Sequence, residues 1–391
     1  MNTAANQVTK RTPYTLKVAS LPHALFEQPS LRPEPLTLKR ALEEFGHELV
    51  MSASDNCRIL PHILHLMGKG GEHVVFEDVR FPNYVLKVDF IESLPVLYAY
   101  ARGEEALEKE VGRLREKAAS HGLRLARLQS YFPVGSVPLE LVAVKNVPLN
   151  EDVVKALLRD RNIEVPQHLV VPKNMDVLCT LQHKINVDKK ACVDVYSSYA
   201  ELNRTILLEF YLEGHRLLAA PDAVGPVDYA ARRKIILYMY PSLRLALERM
   251  DTDPDIKGAL GDYVRRAMRY SVDTGEIIDM AGGGNVLLHK DDDGQWSPFL
   301  MDALSPPELN LDLVRQAAAM IKHGQGMDVR TRANALNVIN YVRFANALAI
   351  LSDVPERLDV QGMTDITPEM WHAGLMIEKY LDTYTPRKKE N

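Results

Sequence analysis

The spacing of apolar residues changes about a third of the way along the chain. Between residues 58 and 147, short apolar runs such as "HVVFED" and "NYVLKVDF" alternate with turn residues, which predicts an antiparallel meander. One stretch in this part, "ARGEEALEKEVGRLREKAASHG", places Leu107, Val111 and Leu114 at helical spacing and predicts an amphipathic helix that ends near Gly122. Two more β-like runs, "LARLQSYFPVG" and "LELVAVKNV", follow it. The expected order is strands, one helix, then strands.

Beyond residue 148 the apolar residues recur every three or four positions, which is typical of helices. The pattern is clear in "ALGDYVRRAMRYSVDTG" and in "RTRANALNVINYVRFANALAIL". We therefore predict an α+β protein with three regions. These are an N-terminal extension over residues 1–55 with room for one helix, a β-rich region over 56–147 and an α-rich region over 148–391.

The α-rich region is interrupted by "GEIIDMAGGGNVLLHKDDDGQWSPFLMDAL", residues 275–304. Two apolar runs, "NVLLH" and "SPFLMD", flank an Asp-Gly pair, which favours a β-hairpin. If Asp293 and Gly294 are the turn residues, Asn285 lies eight residues before Asp293 and Asp302 lies eight after Gly294. This register places Asn285 and Asp302 side by side at the open end of the hairpin.

Such a pair offers an amide oxygen and a carboxylate, which are ligands of a hard cation such as Mg²⁺. Asp279 lies six residues before Asn285, across a loop whose glycines could fold it toward the same point. Each residue also has an ordinary structural interpretation. Asp302 could cap the next helix, Asn285 could accept turn hydrogen bonds, and Asp279 could form a turn beside the glycines.

Composition narrows the classes of function. The 47 basic and 52 acidic residues leave a net charge of -5, which gives no reason to expect nucleic acid or an anionic membrane as partner. The three cysteines have no metal-ligand spacing, and no stretch approaches the roughly 18 apolar residues of a membrane span. We expect a soluble protein of the cytoplasm without an exported precursor.

The order of these features resembles that of the protein-kinase-like fold. An Asp, a short loop, an Asn that opens a strand pair and a second Asp after it are similar to the catalytic loop and metal-binding Asp of that fold. Its members include eukaryotic-type protein kinases and aminoglycoside-type small-molecule phosphotransferases. The resemblance covers roughly residues 58–310 and implies two lobes, a small antiparallel β-lobe with one helix followed by a larger, mainly α lobe. It also implies ATP and Mg²⁺ as cofactors.

Within the β-rich region, the resemblance assigns Gly68, Gly70 and Gly71 to a loop over the ATP phosphates. It assigns Lys87, in "YVLKVDF", to the third strand, where it would hold the phosphates and pair with Glu110 on the following helix. The alternatives are a plain glycine turn, an edge-strand lysine in water and a solvated helical glutamate.

The run "LELVAVKNV" falls where the fifth strand and the hinge would be. The resemblance therefore implies that adenine bonds backbone groups near Val144 to Asn146. In the α-rich region it makes Asn285 and Asp302 the ligands of Mg²⁺. Asp279 would orient or deprotonate an acceptor hydroxyl.

Three departures limit the resemblance. Ile277 and Ile278 precede Asp279 where the kinase pattern has a His, and the loop to Asn285 is one residue longer. Ala303 and Leu304 stand where Phe-Gly would follow the metal-binding Asp, and no A-P-E sequence follows. The expected function is an ATP- and Mg²⁺-dependent phosphotransferase on an unidentified small-molecule or protein acceptor. The alternatives are a pseudokinase that binds nucleotide or acts only in regulation, and a purely structural interaction domain.

Overall fold

The computed structural model describes residues 14–17, 64–69, 73–78, 84–148, 151–160, 163–164, 169–183, 191–198, 201, 229–291 and 293–360. The chain forms two compact units. One comprises Gln28–Asn186, and the other comprises Met1–Glu27 together with Val187–Asn391. The described elements include both helices and antiparallel sheets, so the predicted α+β class is confirmed.

In chain order the strands and helices are β1 (Tyr14–Lys17), β2 (Leu64–Lys69), β3 (His73–Asp78), β4 (Tyr84–Asp89), α1 (Phe90–Ala99), α2 (Glu104–Gln129), β5 (Leu139–Pro148), α3 (Glu151–Asp160), β6 (Asn174–His183), β7 (Cys192–Asp194), α4 (Tyr229–Met239), a 3₁₀ turn (Pro241–Leu243), α5 (Arg244–Thr252), α6 (Pro254–Thr274), β8 (Val286–Lys290), β9 (Trp296–Leu300), α7 (Leu311–Lys322), α8 (Val329–Leu351) and β10 (Arg357–Val360).

A five-stranded antiparallel sheet, in the order β2-β3-β4-β6-β5, forms the centre of the unit Gln28–Asn186. The predicted meander is confirmed, since β2, β3 and β4 pair consecutively. The apolar residues of β4 alternate less than in a half-exposed strand, and both Val85 and Leu86 are buried. Strand β4 is therefore covered on both faces, as expected for an interior strand.

Helix α1 begins directly at the end of β4. The side chain of Asp89 caps it by accepting the Glu92 N–H at 2.9 Å. Ser93, which is fully buried, donates its hydroxyl to the Asp89 carbonyl at 2.6 Å and accepts the Leu178 N–H at 3.0 Å. One serine thus ties the first turn of α1 to both β4 and β6.

Helix α2 continues past the predicted end at Gly122 as far as Gln129. The β-like interpretation of "LARLQSYFPVG" is therefore wrong, because residues 125–129 belong to this helix and residues 130–135 form turns. Leu125 and Leu128 continue the buried stripe of Val111 and Leu114 at helical spacing, so the same face of the helix stays packed. Gly122 sits within the helix at a loss in helix propensity of about 1 kcal/mol relative to alanine.

The sheet also extends further along the chain than predicted. The run "LELVAVKNV" lies in β5, which is the fourth strand of the sheet in chain order and lies at its edge. The fifth strand is β6, which inserts between β4 and β5 after helix α3. The boundary predicted between the β-rich and α-rich regions, after residue 147, therefore lies inside the unit Gln28–Asn186. Strand β6, which follows that boundary, pairs with both β4 and β5.

In the second unit, helix α8 is largely buried from Ala335 onward and packs against α4, α6, α7 and β10. Asn346, a buried polar residue of α8, donates to the Leu358 carbonyl at 3.0 Å and accepts the Leu358 N–H at 2.8 Å. This amide fixes β10 to the helix, and β10 pairs with β1. None of the described helices has both the length and the apolar character that a membrane span needs.

Candidate functional site

The predicted hairpin is confirmed as β8 and β9, with β7 on the other side of β8. Its register differs by one residue from the prediction. Asp291 accepts the Gly294 N–H through its carbonyl and donates its own N–H to Gln295, and Gly294 has a φ of +81°. The turn is thus one residue longer than the two-residue Asp293-Gly294 turn, and its left-handed residue is the glycine.

As a result, Asn285 lies opposite Met301 and not opposite Asp302. The Met301 N–H donates to the Asn285 carbonyl at 2.8 Å. On the other side of Asp302, the Asp279 N–H donates to the Ala303 carbonyl at 2.9 Å. Asp302, which is exposed, is therefore the residue between two backbone hydrogen bonds that reach Asn285 and Asp279.

The Asn285 side chain is oriented by a hydrogen bond. Its Nδ2 donates to the Ala281 carbonyl at 2.9 Å. Its Oδ1 takes part in none of the hydrogen bonds among the described residues, and the anchored Nδ2 fixes the direction of the amide plane. The oxygen is the atom that a hard cation would use.

Asp279 forms a turn as well as a link to Ala303. Its Oδ1 accepts the Ala281 N–H at 2.8 Å, which is the hydrogen bond of the turn-forming alternative. This bond does not exclude chemistry at the carboxylate, because a carboxylate has about four lone-pair positions. Ile278, the preceding residue, is buried and pairs with Leu304.

Two buried tyrosines lie beneath the Asp279 loop. A hydrogen bond of 2.7 Å joins the Tyr341 hydroxyl to the Ser271 hydroxyl, and burial raises the pKa of Tyr341 to about 12 although Ser271 and the Ile278 backbone favour the phenolate. Burial also raises the pKa of Tyr263 well above its ordinary value, with added repulsion from Tyr341 and Asp279. Both phenols therefore stay neutral at pH 7 and pack in the core, and Tyr341 also forms a hydrogen bond there.

Asp194, at the end of β7, is a residue that the sequence analysis did not single out. Its two carboxylate oxygens accept the Gly284 N–H at 3.1 and 2.9 Å. Partial burial raises the pKa of Asp194, and the hydrogen bond from Gly284 opposes that rise. No local pattern could identify this residue, because its partner lies 90 residues away in the chain.

Lys87 lies in β4, as predicted, and its neighbours are set by the sheet register. It lies opposite Val75 on β3 and opposite Thr180 on β6. Directly opposite residues of neighbouring strands present their side chains on the same face of a sheet. Thr180 is only 6% exposed, and its hydroxyl has no hydrogen-bond partner among the described residues, so this face carries a buried polar group next to the lysine.

Glu110 is on the predicted helix, α2, and its side chain is only 18% exposed. It pairs with Arg113 at 3.1 Å and with Arg102 at 3.6 Å. The predicted pairing of Glu110 with Lys87 stays a prediction, and the arginines hold this carboxylate in the structure.

The remaining residues assigned to nucleotide binding lie in β2, in β5 or outside the described residues. Gly68 is part of β2 and lies opposite Val75 after an irregularity in the ladder, whereas Gly70 and Gly71 lie outside the described residues. Val144 and Asn146 lie in the edge strand β5 and not at the exit from the fifth strand. Among the described residues β6, and not β5, is the fifth strand in chain order, so β5 does not have the place that the resemblance gave it. The assignment of Val144 and Asn146 to adenine binding stays a prediction.

The loop and the hairpin carry several oxygen-bearing side chains. Among the described residues, no group of three or more His, Cys, Asp or Glu side chains is placed to hold a metal ion. Asp279, Asn285 and Asp302 contain two carboxylates and one amide, which suits Mg²⁺ coordination completed by water or phosphate. No protein-family model and no curated protein matches the chain.

Proposed function

We propose that this protein is an ATP- and Mg²⁺-dependent phosphotransferase of protein-kinase-like architecture. Asn285 and Asp302 would hold Mg²⁺, Asp279 would orient the acceptor hydroxyl, and Lys87 would neutralise charge on the phosphates. Such catalysis is mainly positioning and charge neutralisation, so it depends on the spacing of these few groups.

One observation carries the proposal. Backbone hydrogen bonds link Asn285 to Met301 and Asp279 to Ala303, and Asp302 is the single residue between those two partners. Through these two partners, Asn285 and Asp279 lie on either side of Asp302 in the backbone pairing, and all three residues fall within a 24-residue span. Because the amide Nδ2 of Asn285 is anchored on Ala281, its oxygen is the atom left for a cation.

The sheet of the other unit supports the proposal independently. It has five antiparallel strands, Lys87 on the third and a helical segment that begins immediately after that strand. Burial of Thr180 beside Lys87 places a hydroxyl without a described partner on the lysine face. A polar ligand on that face would satisfy the hydroxyl.

The chain after Asp302 favours a small acceptor over a peptide. Leu304 pairs with Ile278, Asn310 pairs with Glu276, and the Leu311 N–H donates to the Gly275 carbonyl at 2.7 Å. Residues 304–311 therefore pair with residues 275–278, which precede the Asp279 loop. This segment is too short to form the long activation segment on which protein kinases hold a peptide substrate.

The test is turnover of ATP by purified wild-type protein and by Asp302→Asn, with a panel of small hydroxyl compounds as acceptors. Loss of the Asp302 charge should lower the Mg²⁺-dependent rate by at least about 100-fold, the scale of one charge-stabilising group. Asp293→Asn, at the exposed hairpin tip, is the control and should keep wild-type activity. Equal activity in wild type and Asp302→Asn would reject the assigned mechanism.

A pseudokinase is the second candidate, and a specific observation favours it. Glu110 is held by Arg102 and Arg113, and the Asp279 loop lacks the His of active kinases. Thermal unfolding with and without millimolar Mg²⁺ and ATP separates these cases, since a ligand of the folded state raises its stability. A shift without turnover supports a nucleotide-binding pseudokinase, and no shift supports an interaction protein.

A further inference from the structure

The loop between Asp279 and Asn285 is shaped by a neighbouring segment of the chain, residues 194–198. The Ser197 N–H donates to the Met280 carbonyl at 3.2 Å, and the Gly282 N–H donates to the Ser197 carbonyl at 3.0 Å. The Val195 N–H donates to the Val286 carbonyl at 2.9 Å. These bonds fix the backbone at both ends of the glycine run.

The segment 194–198 is itself anchored. The Glu201 carboxylate accepts the Ser198 N–H at 3.0 Å and the Ser242 N–H at 2.8 Å. It also accepts the Ser242 hydroxyl at 2.6 Å. Residues 194–198 are therefore held by β8 on one side and by the 3₁₀ turn on the other, which makes them a rigid support.

The Asp194 side chain connects the segment 194–198 to the glycine loop. Its carboxylate binds the Gly284 N–H, and a Cβ at Gly283 would lie 3.0 Å from Asp194 Oδ2. Gly284 has a φ of +89°, which an L-residue with a side chain rarely adopts. Gly283 has no positive φ, so close approach of Asp194 is what requires a glycine there.

We propose that Asp194 is a positioning residue that holds the glycine loop and thereby sets the spacing between Asp279 and Asn285. This inference rests on the proposed function for its catalytic meaning, but its structural part stands on the hydrogen bond and the close contact. Among the described residues Asp194 has no ion pair, and both of its described hydrogen bonds go to Gly284. An asparagine would keep one acceptor oxygen and present an NH₂ donor to the same region.

The structural part is tested by hydrogen exchange of peptides that contain residues 280–285. Asp194→Asn should speed exchange in this loop by about tenfold, because a weaker neutral hydrogen bond replaces the charge-assisted one to the Gly284 N–H, while exchange in α8 stays unchanged. Asp293→Asn should leave both unchanged. Wild-type exchange of the loop in folded Asp194→Asn would overturn the proposal.

A double-mutant cycle keeps the test decisive if Asp194→Asn folds poorly. Gly283→Ala places a methyl against the carboxylate, so it should speed loop exchange in wild type and do so much less in an Asp194→Ala background. Gly258→Ala, where a Cβ meets nothing within 4 Å, is the control. Equal effects of Gly283→Ala in both backgrounds would overturn the contact as the cause.

The catalytic part is tested by the Mg²⁺ concentration that gives half-maximal rate. A misplaced Asn285 should raise that concentration by roughly 10- to 100-fold in Asp194→Asn, as for other residues that orient metal ligands. A smaller folded fraction would lower the rate without changing the Mg²⁺ requirement. An unchanged Mg²⁺ requirement in an active variant would overturn the positioning role. An inactive wild type would reject the proposed function, and the hydrogen-exchange experiment would then still test the structural role of Asp194.

Discussion

The hydroxyls of Ser271 on α6 and Tyr341 on α8 are 2.7 Å apart in the buried core, next to the backbone of Ile278. This hydrogen bond connects the two longest described helices of the unit that contains the Asp279 loop. The core beneath the Asp279 loop therefore contains one buried polar hydrogen bond. The stability of the folded protein should depend on whether the Tyr341 phenol is protonated.

Replacement of Tyr341 by phenylalanine tests this dependence. At pH 7, Tyr341→Phe should lower the free energy of unfolding by about 1 kcal/mol, the net value of one hydrogen bond. The folded-state pKa of Tyr341, about 12, exceeds the ordinary value of 10.0, so the contribution is complete below pH 10 and is lost as pH rises toward 12. Between those values the wild type should lose stability more steeply than the variant, by up to about 1.4 kcal/mol per pH unit.

Urea unfolding at pH 7, 10 and 11 measures both effects. Tyr238→Phe is the matched control, since Tyr238 is 60% exposed and the change should stay within about 0.5 kcal/mol. Parallel alkaline slopes for wild type and Tyr341→Phe would contradict the prediction.

Ser93→Ala should destabilise the sheet unit. Loss of the hydroxyl leaves the Leu178 N–H without its buried acceptor, which costs about 1–3 kcal/mol. Chemical denaturation of the whole protein, with Ser130→Ala as the control at an exposed serine, measures the difference. A change no larger than that of the control would show that Leu178 finds another acceptor.

Thr180→Val, in contrast, should raise the stability of the protein. Valine replaces a buried hydroxyl, which has no partner among the described residues, with a methyl of similar size, so the free energy of unfolding should rise by about 1 kcal/mol. In Thr252→Val the lost hydroxyl donates to the Arg249 carbonyl at 2.9 Å, and no gain is expected. If Thr180→Val is less stable than wild type in thermal unfolding, the hydroxyl has a partner in solution.

Glu92 makes the stability depend on acidic pH. Burial acts to raise the pKa of Glu92, but Lys117 at 2.7 Å and Arg113 at 3.3 Å outweigh it and hold the pKa below the ordinary 4.5. The contribution is present above pH 4.5 and is lost as pH falls below that value. Glu92→Gln should therefore cost about 1 kcal/mol or less at pH 7 and a smaller amount at pH 3.

Unfolding curves at pH 7 and pH 3 measure how far the stability difference between wild type and Glu92→Gln decreases. Glu116→Gln, on the exposed face of α2, is the control. A gap between wild type and Glu92→Gln that is as wide at pH 3 as at pH 7 would mean that packing of the side chain, and not its charge, is responsible.

Much of the local structure could be predicted from the sequence. Alternation and turn residues predicted β3, β4 and the β8–β9 hairpin, and helical spacing predicted α6 and α8, because each pattern is complete within one element. The hairpin pattern also predicted Asn285 beside Asp302 to within one residue of the observed register, because a hairpin joins residues that are near in the chain. The position of Asp279 stayed open, because a glycine loop has many conformations.

The tertiary structure alone decided the rest. The hairpin register depends on the left-handed conformation of Gly294, and α2 passes Gly122 because Leu125 and Leu128 have a packed surface to cover. The insertion of β6 between β4 and β5, and the bond between Asp194 and Gly284, join residues far apart in the chain. Sequence patterns report the preferences of neighbouring residues, whereas such contacts form only when distant segments fold onto one another.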